Sequence, residues 1–158
     1  MIPAEVKSVL DEFTQSAPVD VLGVAKRFGV HVYSAKLADK ISGVLVRDPS
    51  YGSESGFVIF VDQDEPAYRQ RFTAAHELGH FVLHKDSIGD RVEDNYLLRS
   101  EGMTNKQERE ANRFAAALLM PLDVIESEMA SGNTTVSGLA NAFNVSPTAM
   151  SIRLGLPT

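Results

Sequence analysis

Apolar residues change their spacing several times along the chain, and each change predicts an element. Val6, Leu10 and Phe13 recur at helical spacing and predict a short N-terminal helix. "APVDVLGVAKRFGV" predicts a second: Asp20 caps its start, Val21, Leu22, Ala25 and Phe28 are its apolar positions, and Gly29 ends it. "VHVY" (30–33) then reads as a strand. The β-rich runs "ISGVLVR" (41–47) and "GFVIFVD" (56–62) flank the turn-rich "DPSYGSESG", which predicts an antiparallel hairpin.

A long helix follows, from about Glu65 to His84, with Asp64 as its cap and Pro66 in the first turn. Residues 85–104 are polar and charged. A connection of that length is expected to be mobile or functional; a lid is one role for it, and a plain solvated connection is the other. Thr104 and Gln107 form a capping-box pattern that opens another helix, which stops before Pro121. The tail predicts a helix near 122–130 and two short helices around "NVSP".

Composition adds bounds to this α+β pattern. A length of 158 residues suits one domain: a core over about 18–121 with a helical extension, 122–158, that leaves no room for a sensor domain. Net charge −6 speaks against broad attraction to nucleic acid or anionic membranes. The absence of cysteine excludes disulfides and thiolate metal sites and favours a cytoplasmic setting. "MIPAEVKSVLDEF" lacks the pattern of a secretory signal, and the longest apolar run, "FAAALLMPL", is too short to span a membrane. The tail resembles the first two helices of a helix-turn-helix. Residues 122–158, however, carry Asp123, Glu126 and Glu128 against the single base Arg153, a net −2, so direct DNA contact is not expected. Its apolar positions, Leu139 and Phe143 among them, are expected to pack on the core or on a partner.

The chemistry lies in "TAAHELGHFVLHK" (73–85). His76 and His80, one turn apart on a helix, can converge on one metal ion, and zinc suits neutral imidazole. Glu77, between them, can act on a water without being a ligand. His84 is another turn on, about 12 Å along the axis from His76, so it is read as a supporting residue around the ligands. A third ligand must come from elsewhere, leaving water as the fourth. In the helix after 104, a step of about 100° per residue gathers Ala111, Phe114, Ala115, Leu118 and Leu119 into an apolar stripe. Glu108 and Asn112 border that stripe, whereas Glu110 falls on the polar side. A carboxylate turned toward the core is costly unless it is paired or binds metal, which selects Glu108 as ligand. Asn112 is then expected to hold an imidazole N–H behind it.

"RQRFTAAHELGHFVLH" followed by "EREANRFAAALLMP" resembles the ImmA/IrrE family of zinc metallo-endopeptidases, over roughly residues 18–121. The resemblance implies a gluzincin-like fold, with a small antiparallel sheet on a central H-E-x-x-H helix and a helical C-terminal part. It implies one zinc ion on His76, His80 and Glu108, and Glu77 as general base. It also implies cleavage of a helix-turn-helix repressor encoded nearby, in bacteria, phages or mobile elements. An extended substrate is expected to add to the edge of a strand, with "GFVIFVD" as candidate. Tyr96, Arg91 and His31 are candidates for stabilising the oxyanion. A competing expectation keeps the zinc fold without proteolysis, as a partner-binding component of a toxin–antitoxin or phage regulatory pair. Glu77 argues against it, since a purely structural zinc site needs no general base.

Overall fold

The structure, a computed structural model, describes residues 3–88, 91–94 and 103–157. Its chain begins with two short helices, α1 (Ala4–Phe13) and α2 (Val21–Arg27). Asp20 accepts from the Gly23 N–H and caps α2. Past its end, Gly29 adopts φ +81°, a left-handed conformation that suits glycine. There the Gly29 N–H bonds Lys26 O and the Val30 N–H bonds Ala25 O, which turns the chain directly into β1 (His31–Ala35).

The predicted hairpin is present as β2 (Gly43–Arg47) and β3 (Phe57–Asp62), paired antiparallel with Leu45 opposite Ile59. The sheet is nevertheless mixed, which corrects the expectation of an all-antiparallel one. β1 pairs parallel with β3, and the strand order is β1-β3-β2-β4. The cause is the 36–42 connection. It carries the chain from the end of β1, opposite Asp62, to the start of β2, opposite Val61, across the end of β3. The returning hairpin then inserts β3 between the two. β3 is therefore central, so "GFVIFVD" has no open edge for a substrate. The outer strands are β1 and β4 (Arg91–Asp94), the latter antiparallel to β2 within the stretch expected to be a polar connection.

The long helix α3 (Ala67–His84) begins two residues later than predicted. Pro66 holds its cap position, and Asp64 instead donates its N–H to Asp62. α3 touches β2 and β3 on one side and α4 (Asn105–Leu119) on another. Residues Thr73 to Phe81 of α3 are all buried as a result. α4 opens with the predicted capping box, Thr104 Oγ1 accepting from the Gln107 N–H while Gln107 Oε1 accepts from the Thr104 N–H.

Three further helices follow: α5 (Leu122–Ala130), α6 (Val136–Phe143) and α7 (Pro147–Arg153). Leu139, Ala140, Phe143 and Met150 are buried in the same apolar cluster as Leu45, Ile59, Leu78 and Leu118. Arg71 of α3 reinforces that packing. Its guanidinium donates to Val19 O before α2 and to Phe143 O and Asn144 O at the end of α6. Among the described residues, no helix is long and apolar enough to cross a membrane.

Candidate metal centre

Two close approaches build the site, and each is made at a glycine. A Cβ on Gly79 would lie 3.2 Å from Ala111 Cα and 3.1 Å from Phe114 Cδ1. Only a residue without a side chain lets α4 come this near α3. On the opposite side, a Cβ on Gly43 of β2 would collide with Thr73 Cγ2 and reach 3.4 Å from Glu77 Cγ. α3 is thus held tightly on both sides, and the polar residues on it are buried. His76, Glu77, His80 and His84 are all less than a tenth exposed. Buried polar groups are costly unless they are paired or bind a ligand, so four on one helix call for a partner chemistry.

The tight α3–α4 contact brings two of these groups, His76 and His80, together with Glu108 of α4. His76 Nε2 and His80 Nε2 are 3.1 Å apart. Glu108 Oε1 lies 2.6 Å from His80 Nε2, and Glu108 Oε2 lies 3.7 Å from His76 Nε2. Zinc bonds of about 2.0–2.1 Å in a tetrahedron set ligand atoms about 3.3–3.4 Å apart; the two imidazole nitrogens stand near that at 3.1 Å, and each histidine has one Glu108 oxygen within 3.7 Å. Each residue offers one ligand atom, and the donor set of two imidazoles and a carboxylate is one that zinc accepts. Phe72 stacks on the outer face of His76, with ring centroids 6.4 Å apart, and limits where that imidazole can turn.

Electrostatics fits the same use. Burial pushes His80 below the ordinary imidazole value, partly offset by its bond to Glu108, so its neutral, metal-binding form is favoured. Burial alone would raise Glu108. The bonds from His76 and His80 outweigh it and hold the carboxyl well below the usual carboxylate range. Glu77 differs from both. It is fully buried, and neither of its oxygens has a hydrogen-bond partner among the described residues. A buried carboxylate between two histidine positions, without a protein partner among the described residues, is suited to take a proton or hold a water.

Among the outer residues, His84 is placed as expected and Asn112 and Glu110 are not. His84 does sit behind the group, its Nδ1 3.1 Å from His80 Nδ1. Asn112, expected to hold an imidazole, is exposed to solvent. Glu110, read as a polar-side residue, instead places Oε1 3.2 Å from His84 Nε2. That bond draws its carboxyl below the ordinary value. Sequence phase missed it because a long carboxylate side chain swings around the rim of its helix toward the end of α3. The available signal was His84 itself, a buried imidazole on the His80 face that needs a partner of its own. Of the oxyanion candidates, His31 lies on β1 with Nδ1 3.3 Å from Tyr33 Oη. Arg91 lies on β4, and Tyr96 falls outside the described residues, as do residues 89–90 and the rest of 95–102.

Comparison with known proteins shows what the whole chain is similar to. The family model for Peptidase M78, the IrrE N-terminal-like domain, matches residues 25–155. The chain is 34% identical over 95 residues to the radiation response metalloprotease IrrE of Deinococcus deserti, a stretch covering 60% of this chain and 33% of that protein. A solved structure of a Mycobacterium tuberculosis transcriptional regulator superposes over 98% of this chain and 48% of its own, with a TM-score of 0.63 at 19% identity, which shows a shared fold. The chain thus spans about a third of the curated relative and about half of the structural one.

Proposed function

The chain belongs to the Peptidase M78 family of IrrE N-terminal-like domains, and from that membership we propose that it is a zinc-dependent endopeptidase. The observation that carries the proposal is the meeting of His76, His80 and Glu108 beside the buried carboxylate of Glu77, whose oxygens have no hydrogen-bond partner among the described residues. His76 Nε2, His80 Nε2 and a Glu108 oxygen would hold one zinc ion and leave a position open. When bound, zinc acidifies water and polarises a scissile carbonyl.

The chain's own residues do the rest. Glu77 takes a proton from the attacking water onto a carboxylate oxygen and passes it to the leaving amine. Its burial excludes bulk water, which strengthens each charge interaction there. Gly43 keeps β2 close to Glu77 and also pairs with Asp94 of β4. β4 is therefore one strand from the site, whereas β1 is two strands beyond β2. An extended substrate adding a strand would use the β4 edge.

The substrate we propose is a helix-turn-helix repressor in the same cytoplasm, as the family resemblance implies, with its cleavage relieving repression. Residues 1–158 act in this as one peptidase unit, supported by the core shared between α6, α7 and the sheet. Direct DNA reading has no support in the tail. Arg153, its only base, donates Nε to Met120 O of the protein itself. The test is incubation of the zinc-loaded chain with the repressor encoded beside it. Discrete fragments should appear, vanish with a zinc chelator and return with added zinc. Cleavage that persists in the metal-free protein would sink the proposal.

A further inference from the structure

The contacts behind the metal centre form a continuous line. Glu110 Oε1 lies 3.2 Å from His84 Nε2, His84 Nδ1 lies 3.1 Å from His80 Nδ1, and His80 Nε2 points into the ligand group. We propose that Glu110 and His84 are positioning residues that select the metal-ready tautomer of His80 and so set the zinc affinity of the site. This rests on the reading above that His80 is a ligand.

Proton placement on the two imidazoles decides whether His80 can bind. A ligand imidazole presents a lone pair to the metal, so Nε2 of His80 must be bare and its proton must sit on Nδ1. That N–H donates to His84 Nδ1, which must then be bare, so the His84 proton sits on Nε2. There it donates to Glu110, which as a carboxylate can only accept. Glu110 thus fixes His84, and His84 fixes His80, with both rings neutral.

The opposite arrangement is chemically available. With a proton on His84 Nδ1 and another on His80 Nε2, His80 would donate to Glu108 Oε1, 2.6 Å away, and its lone pair would face His84. That state ties up two of the three ligands. It also leaves His84 Nε2 without a proton facing a carboxylate 3.2 Å away, two acceptors opposed. Glu110 therefore penalises the blocked state and favours the open one. Its own position, partly exposed at the rim of α4, means that replacing it leaves the core intact.

The test compares zinc affinity, by competition with a chromogenic chelator, among the parent, Glu110→Ala and Glu110→Gln. Nitrogen-15 shifts of the His80 ring are recorded in the metal-free proteins, and denaturant midpoints check folding. Loss of the outer partner of a ligand histidine costs about 10–100-fold in metal affinity, and Glu110→Ala, acting through His84, should lose about 10-fold, the low end of that range. Its denaturant midpoint should stay at the parent value while the His80 proton moves toward Nε2. Glu110→Gln retains an acceptor oxygen and should recover most of the affinity. Parent-like affinity in Glu110→Ala overturns the inference, and so does a loss that merely tracks a fall in metal-free stability. Cleavage by the parent is scored alongside. A parent that binds zinc but cuts no repressor removes the proposed function and leaves this inference standing.

Discussion

Glu108 shows how a single side chain can be read from helical phase and then given its energetics by the structure. Its place beside an apolar stripe marked it as the acid that needs a reason to be there, and it meets both histidines of the H-E-x-x-H helix. The same phase reasoning chose Asn112 as outer support and passed over Glu110. Phase reports which way a helix position faces, not how far a flexible side chain reaches to the next helix. The Glu108 carboxyl lies below its ordinary 4.5 because His76 and His80 outweigh the effect of burial. A carboxyl whose folded value is depressed contributes stability above its unfolded value and loses it as pH falls toward the folded one. The metal-free parent should therefore lose stability more steeply than Glu108→Gln as pH drops from about 5 to about 3, in denaturant titrations at each pH. Parallel pH curves for the two proteins would contradict this.

At the scale of elements, capping and periodicity carried most of the information. Asp20, Gly29 and the Thr104–Gln107 box mark boundaries through their own hydrogen bonds, and these hold. Elements that depend on distant partners were harder to read. β4 exists because β2 pairs with it, and β1 runs parallel because the hairpin folds back beside it. Neither pairing leaves a local trace in a four- or five-residue strand. Gly79 is a similar case, an ordinary helix glycine in sequence that becomes the contact point of α3 with α4. Gly79→Val should force the helices apart. Overpacking of this kind costs about 1–3 kcal/mol, measurable by denaturation. Zinc affinity should fall as well, since Glu108 rides on α4. Unchanged stability together with unchanged zinc affinity would show that the close approach is not needed.

Across the whole molecule, the C-terminal helices are built into the core rather than appended to it. Leu139, Phe143 and Met150 are buried with residues of the sheet and of α3, which answers whether this apolar face packs on the core. Arg71 joins the segment before α2, the N-terminal part of α3 and the end of α6 by three bonds to carbonyls. Hydrogen bonds from a charged group contribute about 1.5–3 kcal/mol, and those of one guanidinium are not additive. Arg71→Met should therefore lower the unfolding free energy by about 2–3 kcal/mol in one cooperative transition. Two separate transitions would show instead that residues 122–158 unfold on their own.

The catalytic reading of the molecule depends on Glu77, buried at the centre and without a hydrogen-bond partner among the described residues. The decisive measurement is the rate at which zinc-loaded Glu77→Gln cleaves the proposed repressor substrate, with bound zinc quantified in the same preparation. Loss of a positioned general base removes about 10²–10⁴-fold in rate, and that loss is expected with zinc content equal to the parent's. Parent-like cleavage by Glu77→Gln at full zinc occupancy would contradict the assignment of Glu77 as the base.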